Sequence, residues 1–269
     1  MTANAQRFDA AIIGGGHNGL VCAAYLAAAG LSVCVLERRG VLGGAAVTEE
    51  FHPGFRNSTA SYTVSLLDPG VIRDLKLAAH GVEFVLRPFS NFLPLPEGGH
   101  AGGNYLKIGG GLAATQAEVA RFSPRDADRL PAYYAMLDRV ADVLRDLIAA
   151  TPPNAGGGMQ VVLDAWKLAK RFRRLDRAGQ RDVVDLFTKS AGEILDHWFE
   201  SGPIKAALGF DAVVGNFASP YAAGSAYVLL HHVFGEVNGQ RGQWGHAKGG
   251  MGAITQAMAR ECAARGVVL

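Results

Sequence analysis

Residues 8–20 read FDAAIIGGGHNGL, and residues 31–44 read LSVCVLERRGVLGG. The apolar residues before the glycines predict a strand, Gly14 to Gly19 predict a tight turn, and the alanine-rich stretch after them predicts a helix. A second apolar run then ends at Glu37, roughly 20 residues beyond the turn. This order of strand, turn, helix, strand and acid is the sequence pattern of a dinucleotide-binding βαβ unit.

Three glycines of the turn have separate predicted roles. Gly14 permits the sharp turn out of the strand, Gly16 lets a pyrophosphate approach the backbone, and Gly19 lets the helix pack closely on the sheet. The first turn of the helix then offers free N–H groups and its dipole to the phosphates. The alternative is an ordinary glycine-rich turn, which the flanking strand and helix and the acid disfavour.

Glu37 predicts which dinucleotide is bound. Its carboxylate is suited to accept hydrogen bonds from the adenosine ribose hydroxyls, whereas it would repel the 2′-phosphate of NADP. FAD or NAD is therefore favoured, although Glu37 could instead be an exposed acid at a strand end. Gly43 and Gly44 either allow the backbone to approach a cofactor or form a simple turn. Their spacing does not distinguish between these two alternatives.

The composition sets broad limits on the function. The chain has 269 residues, of which 49% are hydrophobic and 19% charged, so a globular protein with a large core is expected. Its net charge of +2 argues against nucleic acid as the main partner. Because neither a signal or transit peptide nor an apolar run of ~20 residues is recognisable, a cytoplasmic location is expected.

The cysteines and the metal-ligating residue types predict little chemistry. The three cysteines, Cys22, Cys34 and Cys262, include no C-x-x-C pair, so no redox dithiol of that type is predicted. Cys22 and Cys34 are predicted to fill core positions. No metal site is predicted.

The remaining pattern predicts an interrupted domain. Residues 1–66 are assigned to the N-terminal part of a nucleotide-binding domain, residues 67–240 to a largely helical insertion, and residues 241–269 to a return to the first domain. Met251 to Arg265 has a helical pattern, and Val267 to Leu269 resembles the start of a further strand. That strand is needed because a lone βαβ unit cannot form a stable parallel sheet.

Several motifs resemble one family. The sequence IGGGHNGL from Ile13 to Leu20, LERR from Leu36 to Arg39, and LGGAAVTEE from Leu42 to Glu50 are similar to the phytoene dehydrogenase-related FAD-dependent oxidoreductases. The segments Phe122–Ala127 and Trp244–Gly252 extend the resemblance over essentially the whole chain. The His-Asn pair inside the glycine turn makes it more specific than a general flavin motif.

The resemblance implies a fold and a cofactor. The fold is α/β, an FAD-binding Rossmann-like (GxGxxG) domain with an inserted, largely helical α+β substrate domain. Members of the family are longer and close the flavin site with a C-terminal glycine-rich segment, so a truncated chain is expected. Many relatives in the wider flavin superfamily carry Arg after the paired glycine, where this chain has Ala45. The predicted cofactor-binding residues are Gly14, Gly15, Gly16, His17, Asn18, Gly19, Glu37, Arg38, Gly43 and Gly44.

The resemblance also implies a reaction, the transfer of a hydride from a small-molecule substrate to flavin. The substrate stays unidentified, with a lipophilic compound as one candidate. Two alternatives are a non-catalytic nucleotide-binding or interaction module and an NAD-binding dehydrogenase. His52, Ser61 and Tyr62 are the weak catalytic candidates, because they follow the cofactor loop; they could equally be ordinary polar loop residues. The oligomeric state is not indicated.

A basic stretch recurs at near-helical spacing in the insertion. It is either a solvated helix face or a surface for contact with a partner or for peripheral membrane contact. Its members are Lys167, Lys170, Arg171, Arg173, Arg174, Arg177 and Arg181.

Overall fold

The structure is a computed structural model that describes residues 7–98, 102–148 and 158–269. The chain divides into two compact units: the first is Met1–Arg87 with Gly235–Leu269, and the second is Pro88–Phe234. The second unit is thus an insertion in the first. The sequence places the ends of this insertion at residues 67 and 240 instead. The boundaries differ because Leu75 and Leu77 are buried in the core of the first unit.

The first unit begins with the predicted strand, helix and strand. Asp68 caps a later helix by accepting a hydrogen bond from the N–H of Gly70 at 2.6 Å, and Pro69 begins that helix. The elements as far as Arg87 are β1 Ala10–Ile13, α1 His17–Ala28, β2 Val33–Leu36, β3 Thr48–His52, β4 Phe55–Ser58, α2 Pro69–Asp74 and β5 Phe84–Leu86.

The second unit is mostly helical. The two strands in its described residues form an antiparallel hairpin, and its core includes the buried side chains of Leu130, Tyr133, Leu186 and Ile204. The strands are β6 Phe89–Pro94 and β7 Tyr105–Gly109. The α-helices are α3 Leu112–Ala120, α4 Pro124–Ile148, α5 Met159–Arg174, α6 Arg177–Thr188, α7 Ala191–Trp198, α8 Gly202–Gly209 and α9 His231–Phe234.

The chain then returns to the first unit through three short strands and a helix. These are β8 Glu236–Val237, β9 Gln240–Arg241, β10 Gly245–Ala247 and α10 Gly252–Ala264. β10 pairs antiparallel with β5, and β8 pairs with β9. The pairing of β5 with β10 explains why the first unit extends as far as Arg87.

The sheet that contains β1 and β2 is parallel. β1 and β2 pair with Ala10 opposite Val33 and Ile13 opposite Leu36. Val268 lies parallel to Cys34 on the other side of β2, donating to Val33 O at 3.0 Å and accepting from Val35 N at 2.8 Å. The end of the chain therefore pairs in parallel with β2, in agreement with the prediction that a further strand begins there.

The core of the first unit lies between α1 and α10. Ala23, Ala24 and Met258 are fully buried, and the Cys262 thiol lies 3.2 Å from the carbonyl oxygen of Leu20. Cys34 is buried, but Cys22 is exposed, so its predicted core position is wrong. The reason is that α1 turns Ala23 and Ala24 inward, which leaves Cys22 on the outer side.

In the ranges that the structure describes, no helix is long and apolar enough to cross a bilayer.

Candidate cofactor site

The glycine turn follows β1 directly. Gly14 donates its N–H to Leu36 O at 2.8 Å and has a φ of +98°, a conformation that favours glycine. A Cβ on Gly19 would lie 2.2 Å from Gly14 O and 3.3 Å from the Ile12 side chain. The helix therefore approaches the turn so closely that this position has no room for a side chain.

The second pair of glycines rests against this turn. Gly43 donates its N–H to Gly15 O at 2.8 Å, and Gly43 forms a parallel backbone bridge with Gly16. A Cβ on Gly44 would lie 3.1 Å from the Gly16 Cα. The structure thus brings together two glycine segments that are separated by more than a helix and a strand in the sequence.

The start of α1 is open to an anion. Gly16 is the residue before the helix and has no side chain that could cap the helix N–H groups. His17 and Asn18 in the first turn are exposed. A Cβ on Gly16 would meet nothing closer than the Gly44 Cα at 3.8 Å. The residues present therefore fit a phosphate group, since a bare backbone surface and free N–H groups are what such a group requires.

Glu37 is tied to the turn. Its Oε1 accepts from the N–H of Arg39 at 2.9 Å and its Oε2 accepts from the N–H of Gly15 at 2.8 Å. These two hydrogen bonds hold the pKa of the Glu37 carboxyl below its usual value, and the bond from Arg39 contributes the most. Each oxygen keeps a further lone pair, so the carboxylate can also accept ribose hydroxyls. Arg39 forms an ion pair with Glu49, whereas the Arg38 side chain is exposed.

Two residues of α10 bind the paired-glycine loop, which is the segment from Leu42 to Ala46. Thr255 donates its hydroxyl to Ala46 O at 2.9 Å, and Gln256 donates its amide to Leu42 O at 2.9 Å. A Cβ on Gly43 would lie 2.6 Å from the Thr255 hydroxyl oxygen. Sequence reasoning missed both residues, and the available signal was Thr255, a polar residue between the apolar residues Ile254 and Met258 of a helical pattern.

The three catalytic candidates lie in different surroundings. Ser61 donates its N–H to Ala45 O at 3.1 Å, so its backbone lies against the paired-glycine loop. The Tyr62 side chain is 58% exposed. His52 ends β3 at the tip of the β3–β4 hairpin, where its exposed ring contacts Phe55. Within the described residues, no group of three or more His, Cys, Asp or Glu side chains could hold a metal ion.

The chain is similar to known proteins, both around the glycine turn and over most of its length. Residues 12–75 match the family model of the NAD(P)-binding Rossmann-like domain. Over 268 residues the chain is 40% identical to pyridine nucleotide-disulfide oxidoreductase domain-containing protein 2 of Rattus norvegicus. The chain is a homologue of that protein. The match covers 96% of this chain and 46% of the rat protein, so the chain spans about half the length of this relative.

Two further relatives carry more specific names. One of the subunits of limonene dehydrogenase from Castellaniella defragrans is 39% identical over 157 residues, covering 58% of this chain and 27% of that protein. The lycopene-forming phytoene desaturase of Pantoea ananas is 25% identical over 252 residues, covering 92% of this chain and 45% of that protein. The resemblance to phytoene dehydrogenase-related proteins that the motifs predict is thereby confirmed.

A solved structure shows the same fold. Cyclohexylamine oxidase from Brevibacterium oxydans IH-35A superposes with a TM-score of 0.54 at 19% identity, covering 98% of this chain and 51% of that one. At this identity the likeness concerns the fold alone. Together with the family-model match over residues 12–75 and the division into two units, it confirms the predicted Rossmann-like domain with its insertion.

Proposed function

We propose that this chain carries the dinucleotide-binding part and the inserted substrate part of an FAD-dependent oxidoreductase of the dehydrogenase or desaturase type. The observation that carries the proposal is the convergence of Gly14–Gly19, Gly43–Gly44 and the ionised Glu37 at one end of the parallel sheet. The names of the relatives supply the reaction class.

Each part of the site has a role in holding FAD. The N–H groups at the start of α1 and the bare backbone of Gly16 would receive the pyrophosphate, and Glu37 would accept the ribose hydroxyls. Bound flavin supplies a hydride acceptor, while the protein orients the reactants and excludes water. Glu37 disfavours NADP, because its carboxylate would face the 2′-phosphate.

The names of two relatives support an apolar substrate. Limonene and phytoene, the compounds in two of their names, are hydrocarbons. A hydrocarbon offers no groups for polar recognition, so it would be bound by apolar contacts. We therefore assign this chain to an oxidoreductase of an apolar small molecule.

A pair of glycine variants tests the cofactor assignment. Gly16→Ala puts a methyl group where the phosphate would lie, yet the free protein has room for it, since the nearest atom is 3.8 Å away. Gly40→Ala is the control, because a Cβ there meets nothing within 4 Å and Gly40 lies outside the proposed site. Visible spectra of the desalted protein, titrated with FAD, should show bound flavin for wild type and Gly40→Ala but at least about tenfold weaker binding for Gly16→Ala.

The possible outcomes separate the hypotheses. A folded wild-type chain that binds no FAD at any concentration would contradict the proposal. Tighter binding of NAD than of FAD would favour an NAD-dependent dehydrogenase. Bound flavin that no apolar substrate reduces under anaerobic conditions would favour a non-catalytic module.

A further inference from the structure

Helix α5 exposes a stripe of apolar side chains. Met159, Val162, Leu163 and Trp166 have relative exposures of 73%, 61%, 46% and 61%. Their spacing of three, four and seven residues places them on one face of the helix. On the other side, Val161 and Phe172 are half-buried, so α5 is partly covered there while the stripe faces outward.

Basic residues continue this face toward the end of the helix. Lys170 and Arg173 follow the apolar stripe at the same helical spacing, and the Lys170 ammonium lies 5.1 Å from the centre of the Trp166 ring. Within α5, Met159–Arg174, five residues are basic and one, Asp164, is acidic, whereas the whole chain has a net charge of only +2. Positive charge is therefore concentrated beside the apolar stripe.

We propose that α5 docks this protein on the surface of a bilayer that contains anionic lipids. The helix would enter the interface obliquely, with the apolar stripe of its first half among the upper acyl chains and the basic residues of its second half at the headgroups. Trp166 suits this position because its ring is amphipathic. Each Lys or Arg near such a surface adds attraction to anionic lipid, so the charge of this segment complements the bilayer.

Other anionic partners complement only half of this face. A nucleic acid or an acidic protein surface would attract the basic residues but would leave the four apolar side chains in water. A bilayer covers both halves at once. The inference does not depend on whether the chain binds FAD, although docking at a bilayer would bring an apolar substrate within reach.

Sedimentation with vesicles tests the proposal on the full chain. We expect the wild-type protein to sediment with vesicles of phosphatidylcholine and phosphatidylglycerol, at least about tenfold more strongly than with phosphatidylcholine alone. Raising the salt concentration should weaken this binding, since screening shortens the range of the attraction. Absence of sedimentation with the mixed vesicles at low salt would overturn the proposal, as would equal, salt-insensitive binding to both vesicle types.

Variants locate the binding face. Val162→Asp with Trp166→Asp replaces two of the four residues of the stripe with acids, and Lys170→Glu with Arg173→Glu reverses two charges. All four substituted side chains are exposed, so folding should persist by circular dichroism. Each pair should weaken vesicle binding at least about tenfold. Phe217→Asp is the control, because Phe217 is an exposed apolar residue outside α5. Unchanged binding of both α5 variants, or an equal loss in the control, would refute the assignment to α5.

Fluorescence supplies an independent measurement. Trp166 is exposed, whereas Trp198 and Trp244 are half-buried. Mixed vesicles should therefore shift the emission of the wild-type protein to shorter wavelength but leave that of Trp166→Phe unchanged. A shift that persists in Trp166→Phe would place the contact elsewhere and overturn the proposal.

Discussion

The two units pack their cores with residues of different size. In the first unit the fully buried positions include Ala23, Ala24 and Ala257, beside glycines that leave no room for a side chain. In the second unit they include Leu130 and Leu186. Leu75 and Leu77 are buried in the first unit as well, so the difference is one of proportion: Ala and Val make up a larger share of the first core, and Leu and aromatic side chains a larger share of the second. Added atoms should therefore harm the glycine turn of the first unit, and removed atoms should harm the core of the second.

The largest expected effect is a cavity in the second unit. Leu186 on α6 is fully buried, so Leu186→Ala should lower the free energy of unfolding by about 3 kcal/mol. Val184→Ala, on the exposed side of the same helix, should change it by less than about 1 kcal/mol. Urea unfolding followed by circular dichroism measures both, and equal losses would show that the core does not lie where these side chains point.

The first unit also contains a buried ionic cluster, centred on Glu261. The Glu261 carboxylate on α10 lies 2.7 Å from His80 Nε2, 2.8 Å from an Arg265 terminal nitrogen and 3.6 Å from Lys76 Nζ. Arg265 also donates to Ala24 O at 3.0 Å, which ties α10 to α1. Burial raises the pKa of Glu261, but the hydrogen bonds from His80 and Arg265 and the charge of Lys76 outweigh it, so the net pKa is lowered.

Glu261→Gln should therefore lower the free energy of unfolding by about 2 kcal/mol at neutral pH, because charged hydrogen bonds are lost from a buried position. Glu83→Gln is the control, since the Glu83–Lys248 pair is exposed and should contribute less than about 1 kcal/mol.

The effect of Glu261→Gln should depend on pH. A lowered pKa in the folded state means that the ionised carboxylate stabilises the fold above its unfolded pKa, and that this contribution is lost as the pH falls through the folded pKa. The difference between wild type and Glu261→Gln should thus shrink in acid. A difference that stays constant from neutral to acid pH would show that Glu261 does not titrate as the cluster requires.

The smallest expected effect comes from one added methyl group in the first unit. An exposed helical Gly→Ala change usually stabilises by up to about 1 kcal/mol, but at Gly19 the Cβ would lie 2.2 Å from Gly14 O. Gly19→Ala should therefore destabilise by about 1–2 kcal/mol, while Gly40→Ala should not. Thermal unfolding of the two variants decides the sign. Stabilisation by Gly19→Ala would mean that α1 does not press against the turn.

Much of the first unit could be predicted from local sequence. The strand, turn and helix around Gly14 and the parallel partner strand ending before Glu37 follow from residues that are close in the chain. The boundary of the insertion was harder to predict, because β5 has its partner strand about 160 residues later in β10. A local pattern shows that β5 is a strand but contains no information about which strand it joins.

The local elements, the glycine turn and the acid at the strand end were all readable from the amino-acid order, because backbone conformation and helical or strand periodicity depend on neighbouring residues. The folded structure was needed to show that Gly43 and Gly44 rest on the turn, that Thr255 supports them, and that Glu261 anchors α10. These contacts join residues as far as about 200 positions apart. Their formation depends on how the whole chain closes around its core, which no short stretch of sequence specifies.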